Sequence, residues 1–294
     1  MSNKNKVVLG GLGLISLLSL AYWRLHRVSI PILEPRGIVA QKERNLILIA
    51  LALCAIVVIP VYVMLIGFAW KYRASNKKAR YEPDFDHSRL FESLWWGIPL
   101  VIIGILAVIT WRSSHDLDPF KPLVSSVAPL NVQVVSLQWK WLFIYPQQGV
   151  ASVNYLRLPV NTPINFQITS DAPMNSFWIP QLGGQVYAMS GMSTQLHLMA
   201  SQTGSYYGSS ANISGDGFAG MHFRAESTSR QNFNSWIAQA KQYGQNLSLD
   251  NYNRLAKPSQ NSPISYYDSV PAGLYSYVVN KFVTPPNFSP VEAL

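Results

Sequence analysis

Gly208-Ser-Ser-Ala-Asn-Ile-Ser-Gly-Asp-Gly-Phe-Ala-Gly-Met221 is the stretch on which the reading of this chain turns, together with Met174-Asn-Ser-Phe-Trp-Ile-Pro180 some thirty residues earlier. Its glycines invite comparison with a phosphate loop. No lysine follows them, however, and the flanking residues read as strand and turn, so nucleotide binding is set aside. Ser210, Asn212 and Ser214 are residue types whose side chains bond the local backbone in turns, and Phe218 reads as core. A metal reading would rest on Met221, His222, His197 and the scattered Met174, Met189, Met192 and Met199. Methionines in a sandwich are ordinarily core filler, and His222 points away from Met221 if that segment is a strand. A mononuclear blue-copper site needs a cysteine, which this stretch lacks.

The surroundings of the loop read as an antiparallel β-sandwich. Val132-Gln-Val134, Ile164-Asn-Phe-Gln-Ile168 and Gln195-Leu-His-Leu198 alternate apolar and polar residues, and turn clusters such as Pro146-Gln-Gln-Gly149 and Pro159-Val-Asn-Thr-Pro163 separate them. After Ala225 the period changes. Phe233, Trp236, Ile237 and Ala240 recur at helical spacing, with Ser229 as N-cap and Gly244 as stop. Further helical runs are expected from Ser248 to before Pro258, and within Pro271 to Phe282. The domain reading is therefore a sandwich over 113–226 and a helical, aromatic-rich extension over 227–294.

What precedes the sandwich reads as membrane. Only 13% of the 294 residues are charged, against roughly 25% in an average soluble domain. The net charge of +9 flanks apolar runs instead of covering one face, which is a membrane pattern and argues against nucleic acid. Residues 46–70 and 93–111 form two uncharged runs, each long enough or nearly so for the ~20 residues a helix needs to span a bilayer. Pro60 and Pro99 interrupt them, as spanning helices tolerate. The loop 71–91 begins Lys71-Tyr-Arg-Ala-Ser-Asn-Lys-Lys-Ala-Arg80, which places it in the cytoplasm and the sandwich on the other side. Residues 1–30, with lysines at 4 and 6 and an uncharged run from Val7 to Trp23, read as a signal sequence or an uncleaved anchor, with retention preferred. The single cysteine, Cys54, lies inside an apolar run, so no disulfide and no thiolate metal site can form after Trp111.

Three further residues stand out. Glu92 opens the second apolar run; an ionisable group at that depth is a functional candidate, and an acid favoured by the helix dipole is the equally good alternative. Trp139 and Trp141 flank Lys140 on an expected strand, whose alternation puts both indoles on one face. Either a buried core pair or a docking surface fits them.

Several motifs in this order resemble the second subunits of haem-copper oxidases, in particular ubiquinol oxidases of the cytochrome bo type. They are Gly67-Phe-Ala-Trp-Lys-Tyr-Arg73, Gln138-Trp-Lys-Trp141, Asn175-Ser-Phe-Trp-Ile-Pro180, the 208–221 loop and the aromatic tail around Tyr266 to Phe282. In relatives that bind a copper pair (CuA), Cys, Glu, Cys, His and Met stand at the positions of Ser210, Asn212, Ser214, Phe218 and Met221, and His at that of Asn175. The resemblance implies a cupredoxin-like sandwich that has lost this copper and binds no cofactor itself. It also implies haems, copper and quinone in a partner subunit I, with subunits III and IV and membrane lipid as further partners and ubiquinol as substrate of the complex. Glu92 corresponds to the acid at the mouth of the family's K channel for protons, and Trp139 and Trp141 to the aromatic stretch beside subunit I. No lipoprotein cysteine follows the N-terminal run, unlike many of these subunits. The expected location is a bacterial inner membrane, multi-pass, with the large C-terminal domain in the periplasm. The alternatives are a cytochrome c oxidase subunit with an altered copper site and a free-standing, membrane-anchored binding module.

Overall fold

The computed structural model describes residues 30–80 and 86–283, together with Ser16, Ser19, Leu20, Trp23 and Arg24. Most of the expected signal or anchor segment, residues 81–85 of the loop and the last eleven residues lie outside the described residues.

Two long helices come first, α1 over Ile38–Lys71 and α2 over Arg89–Asp116. Both are long and apolar enough to cross a membrane, and each continues past the uncharged run that suggested it. At 1.5 Å per residue, the 34 residues of α1 reach about 50 Å, well beyond the ~30 Å of hydrocarbon. The surplus at its N-terminus is built into the sandwich. Gly37 bridges to Ala200; Arg36 N donates to Gln181 O at 2.8 Å, Ala40 N to Leu182 O at 3.1 Å, and Ser201 N to Arg36 O at 2.8 Å. One turn on, Glu43 Oε1 accepts from Gly184 N at 2.9 Å. A side chain at position 37 would bring its Cβ within 2.9 Å of the carbonyl oxygens of Leu182 and Met199, so the approach requires glycine.

Twelve strands follow among the described residues: β1 Leu130–Leu137, β2 Lys140–Tyr145, β3 Val150–Val153, β4 Tyr155–Pro159, β5 Ile164–Ser170, β6 Asn175–Trp178, β7 Val186–Ala188, β8 Thr194–Leu198, β9 Gly204–Ser210, β10 His222–Thr228, β11 Gln245–Asn246 and β12 Ser265–Ser269. Between and after the last of them lie α3 Arg230–Tyr243, α4 Leu249–Leu255 and α5 Leu274–Asn280. One sheet has the order β11-β12-β3-β2-β1-β5-β8, the other β4-β10-β9-β6-β7. The sheets are mixed, not antiparallel as expected: β1 runs parallel to β5, β4 to β10, and β11 to β12. Alternation along one strand cannot reveal the direction of its neighbour.

The C-terminal extension is likewise not purely helical, because β11 and β12 complete the larger sheet. That sheet is consequently covered on both faces. Trp141, Phe143 and Tyr145 of β2 join Val132 and Val134 in the core between the sheets. Leu142 and Ile144 face the other way, onto Leu247, Tyr252, Tyr267, Leu274, Tyr275 and Val278 of the extension. An ion pair fixes the extension: Lys281 Nζ lies 2.8 and 3.1 Å from the oxygens of Asp171, whose side chain is 2% exposed and also accepts from Tyr252 Oη at 2.6 Å. Burial, with Asp171 behind it, pushes the Tyr252 hydroxyl well above the ordinary tyrosine range.

Candidate functional site

The loop on the sandwich is positioned by β6 and β9, which pair antiparallel with Phe177 opposite Ser210. This brings Asn175 and Ser210, 1% and 6% exposed, into contact. Ser210 Oγ donates to Asn175 Oδ1 at 2.8 Å and accepts from Asn212 N at 3.4 Å. Asn175 Nδ2 donates to Pro173 O at 2.9 Å, and Ser176 Oγ to Asn212 Oδ1 at 3.2 Å. Main-chain bonds from Ser210 N to Met221 O and from Ala211 N to Ser176 O close the ends of the loop. Met221 belongs to the core at 2% exposure, whereas His222 is exposed and stacks on Tyr207. Phe218 starts a single 3-10 turn, Phe218–Gly220, and is partly buried.

Trp139 covers the loop. It occupies the two-residue turn between β1 and β2 with a positive φ of 65°, not the strand expected for it. Its Nε1 donates to Ser214 O at 3.1 Å, and a Cβ at Gly217 would stand 2.3 Å from its ring. The loop glycines are therefore packing positions. Ser214 Oγ is buried with no hydrogen-bond partner among the described residues. Below the loop, Trp141 meets the edges of Phe177 and Phe223, which stack on each other with ring centroids 5.3 Å apart. Trp141 has no exposed surface and lies in the core between the sheets, while Trp139 packs against that core from the turn and stays partly exposed. Lys140, between them, is buried without a carboxylate among the described residues. Its Nζ donates to Lys257 O at 2.8 Å and to Ser259 Oγ at 2.5 Å, and burial pulls its pKa down.

Five of the six positions that the resemblance equates with copper ligands thus present hydroxyls, amides or a phenyl ring, and the polar groups of Asn175, Ser210 and Asn212 are bonded to one another, to Ser176 and to the main chain. A copper pair prefers thiolates and imidazoles, so these residues do not fit one. His197 lies on β8 with Nδ1 bonded to Pro119 O at 2.8 Å, and Met174 and Met192 are exposed. Among the described residues no group of three or more His, Cys, Asp and Glu side chains is arranged to hold a metal ion.

Glu92 lies on the first turn of α2, its N–H bonded to Ser88 O at 2.9 Å. Its Oε1 is 2.5 Å from His87 Nδ1, with side chains 38% and 59% exposed respectively. Sequence reasoning singled out Glu92 and missed His87, although a histidine just ahead of a helix-start acid is a readable signal. Asp171, Tyr252 and Lys281 were also missed, because nothing local links residues so far apart in the chain.

A sandwich of this order, joined to two membrane-spanning helices among the described residues, defines a membrane-anchored cupredoxin-like protein. Sequence comparisons narrow this. Residues 148–228 match the family described as "Cytochrome C oxidase subunit II, periplasmic domain", and residues 241–286 match "COX Aromatic Rich Motif". The chain is 53% identical to the cytochrome bo(3) ubiquinol oxidase subunit 2 of Pseudomonas aeruginosa over 85% of its length and 75% of the relative's. It is 46% identical to the ubiquinol oxidase subunit 2 of Acetobacter aceti, covering 95% and 91%, and 34% identical to a quinol oxidase subunit 2 of Bacillus cereus, covering 86% and 90%. Among solved structures, the periplasmic domain of subunit II of cytochrome oxidase (CoxB) of Bradyrhizobium japonicum overlaps 41% of this chain and 98% of its own, at 26% identity and TM-score 0.38. The chain belongs to the family of ubiquinol and quinol oxidase subunits 2. It is a subunit of a terminal quinol oxidase, an oxidoreductase complex with other subunits, and an inner-membrane protein with two spanning helices among the described residues and a periplasmic C-terminal domain.

Proposed function

We propose that this chain is the copper-free subunit of a proton-pumping ubiquinol oxidase, in which it stabilises the complex and supplies, at Glu92, the mouth of one proton route. Haems, copper and quinone are assigned to subunit I, and subunits III and IV and membrane lipid complete the surroundings of the anchor. Trp139, half-buried over the loop, is the indole offered to subunit I. The observation that carries the copper-free reading is the bond from Ser210 Oγ to Asn175 Oδ1: two positions that would each hold metal hold each other. Glu92 as a proton-uptake group is supported by its place at the cytoplasmic start of α2 and by its 38% exposure, which lets water reach it.

Copper reconstitution of the purified complex tests the first part. The expected result is copper at the content of subunit I alone, with no thiolate-type optical or paramagnetic signal. Such a signal would overturn the reading in favour of a cytochrome c oxidase subunit with an altered site. Asn175→His, Ser210→Cys, Asn212→Glu, Ser214→Cys and Phe218→His, made together, are expected to create copper binding.

A further inference from the structure

We propose that the groove between α1 and α2 at their periplasmic ends binds an anionic phospholipid, with an acyl chain along the seam of the two helices and the phosphate at Lys42 and Lys121. It rests on the reading that membrane lipid surrounds the spanning helices, and deepens it by naming one lipid class and the residues that select it. Two lysines share one carboxylate at the mouth of an apolar groove. Lys42 Nζ lies 3.7 Å from one oxygen of Asp116, and Lys121 Nζ lies 3.6 Å from the other.

The groove presents its chemistry in the order in which a phospholipid needs it. Leu46, Ile49, Ala50, Leu106 and Ile109 line its deep part, and Thr110, Ser113 and Ser114 the part nearer the sandwich. Lys42 precedes Leu46 by one turn and Asp116 follows Ser113 by three residues, so the charges cap the same faces of both helices. An acyl chain, glycerol esters and a phosphate thus meet methyl groups, hydroxyls and ammonium groups in turn. From Leu106 to Asp116 the helix rises about 15 Å, half of the ~30 Å hydrocarbon core, which is the depth of one leaflet. The groove volume of about 330 Å³ is more than ten times the ~30 Å³ share of one water, so a chain molecule is needed to fill it. Trp111, exposed and 4.8 Å from the His115 ring, marks the level of the membrane interface.

The charges select an anionic headgroup over a zwitterionic one. Both ion pairs are long and their side chains are more than half exposed, so Asp116 holds two cations loosely and leaves one positive charge over. Arg112, exposed and one turn before Asp116 on the same face, adds a third cation. The other acids nearby are taken up by main-chain donors: Glu43 Oε1 accepts from Gly184 N at 2.9 Å, and Asp118 Oδ1 from Phe120 N at 2.9 Å. A phosphatidylglycerol brings a negative charge and no cation. Phosphatidylethanolamine and phosphatidylcholine each bring a cation of their own to a rim already lined with them.

The test uses the complete purified oxidase in nanodiscs of phosphatidylcholine that contain a little phosphatidylglycerol with a photoactivated group on one acyl chain. After irradiation, the cross-linked peptides of this chain are mapped by mass spectrometry. Label is expected to concentrate in residues 46–50 and 106–117, and unlabelled phosphatidylglycerol should displace it at about fivefold lower mole fraction than phosphatidylethanolamine does. Each cation beside an anionic headgroup is worth about fivefold, so Lys42→Gln/Lys121→Gln should cut this labelling about twentyfold. Asp116→Asn, which frees both lysines for phosphate, should raise it about fivefold. A carboxylate that only ties the helix end to its neighbours would give no such gain. Label spread evenly over the lipid-facing surface, equal displacement by phosphatidylethanolamine, no rise in Asp116→Asn, or an unlabelled groove covered by another subunit each overturns the site. Copper content and quinol oxidation, measured on the same preparations, report on the copper-free and proton-entry readings separately, so failure of the site is distinguishable from failure of either.

Discussion

The loop end of the sandwich and the cytoplasmic start of α2 treat polar side chains in opposite ways. At the loop, Asn175 and Ser210 are buried and bonded to each other, and an indole covers what remains. At the helix start, a carboxylate and an imidazole touch while both stay open to water. Groups matched inside protein contribute to stability and cannot exchange protons with solvent; groups left at the water edge contribute little stability and can. The contrast predicts a split. Substitutions in the sandwich should change melting temperature and leave turnover per intact complex alone, and substitutions at the helix start should do the reverse.

The largest effect is expected at the clamp on the extension. Lys281→Ala leaves the Asp171 carboxylate, whose side chain is 2% exposed, without its ion-pair partner and should cost about 3 kcal/mol, read as a lowered midpoint in thermal unfolding of the complex. Tyr252→Phe sharpens the same point through pH. The Tyr252 hydroxyl is pushed up in the folded state, so its contribution is fully present below the ordinary tyrosine value of about 10 and fades as pH rises above it. Melts of the wild type should therefore fall off above about pH 10 more steeply than those of Tyr252→Phe. Equal slopes would assign the alkaline loss elsewhere.

Next comes Gly208→Ala, whose Cβ would stand 2.2 Å from the Phe223 ring. That ring is stacked on Phe177, so the core must shift, at a cost of about 2 kcal/mol. Ser210→Ala should cost about 1 kcal/mol, since it removes the donor to Asn175 Oδ1. If either variant assembles fully but turns over slowly, the loop has a part in the reaction and the split fails. The smallest stability change, within about 0.5 kcal/mol, is expected for Glu92→Gln, which should nevertheless slow quinol oxidation severalfold, with Glu92→Asp retaining more of the rate. Topology offers a separate check on which end meets the cytoplasm. In a Cys54→Ala background, cysteines at Ser125 and Tyr207 should react with an impermeant thiol reagent from the periplasm, and one at Lys77 should not.

Local chemistry made part of this legible in advance. Ser229 caps α3 through a bond from Asn232 N at 3.2 Å, and Gly244 ends it, as their residue types imply. The two spans were visible for the same reason, since about twenty uncharged residues in a row have few other uses. Where the sequence misled, the deciding contacts are distant. Trp139 sits at positive φ in a turn with neither glycine nor asparagine to announce it, held there by Ser214 seventy-five positions away. Ser265-Tyr-Tyr-Asp-Ser269 becomes a strand because β3 offers it an edge, as Tyr266 pairs with Ser152. As for the site, Asn175 and Ser210 lie thirty-five residues apart, and only the family resemblance had placed them together.

The junction of α1 with the sandwich makes the membrane helix an axle keyed to the domain. Gly37, Ala40 and Glu43 are gripped by main-chain groups of residues 181–184 and 199–201, so the angular phase of α1 is set before the chain enters lipid. Each residue added to a helix rotates all that follows by about 100° and advances it by about 1.5 Å. One alanine inserted just after Glu43 would therefore leave the sandwich and its loop intact, yet turn the whole lipid-level face of α1 by more than a quarter of a circle relative to Trp139. A partner that touches both the helix and the loop reads the two as a single rigid bearing, and it would feel that one residue as a misalignment of the entire domain.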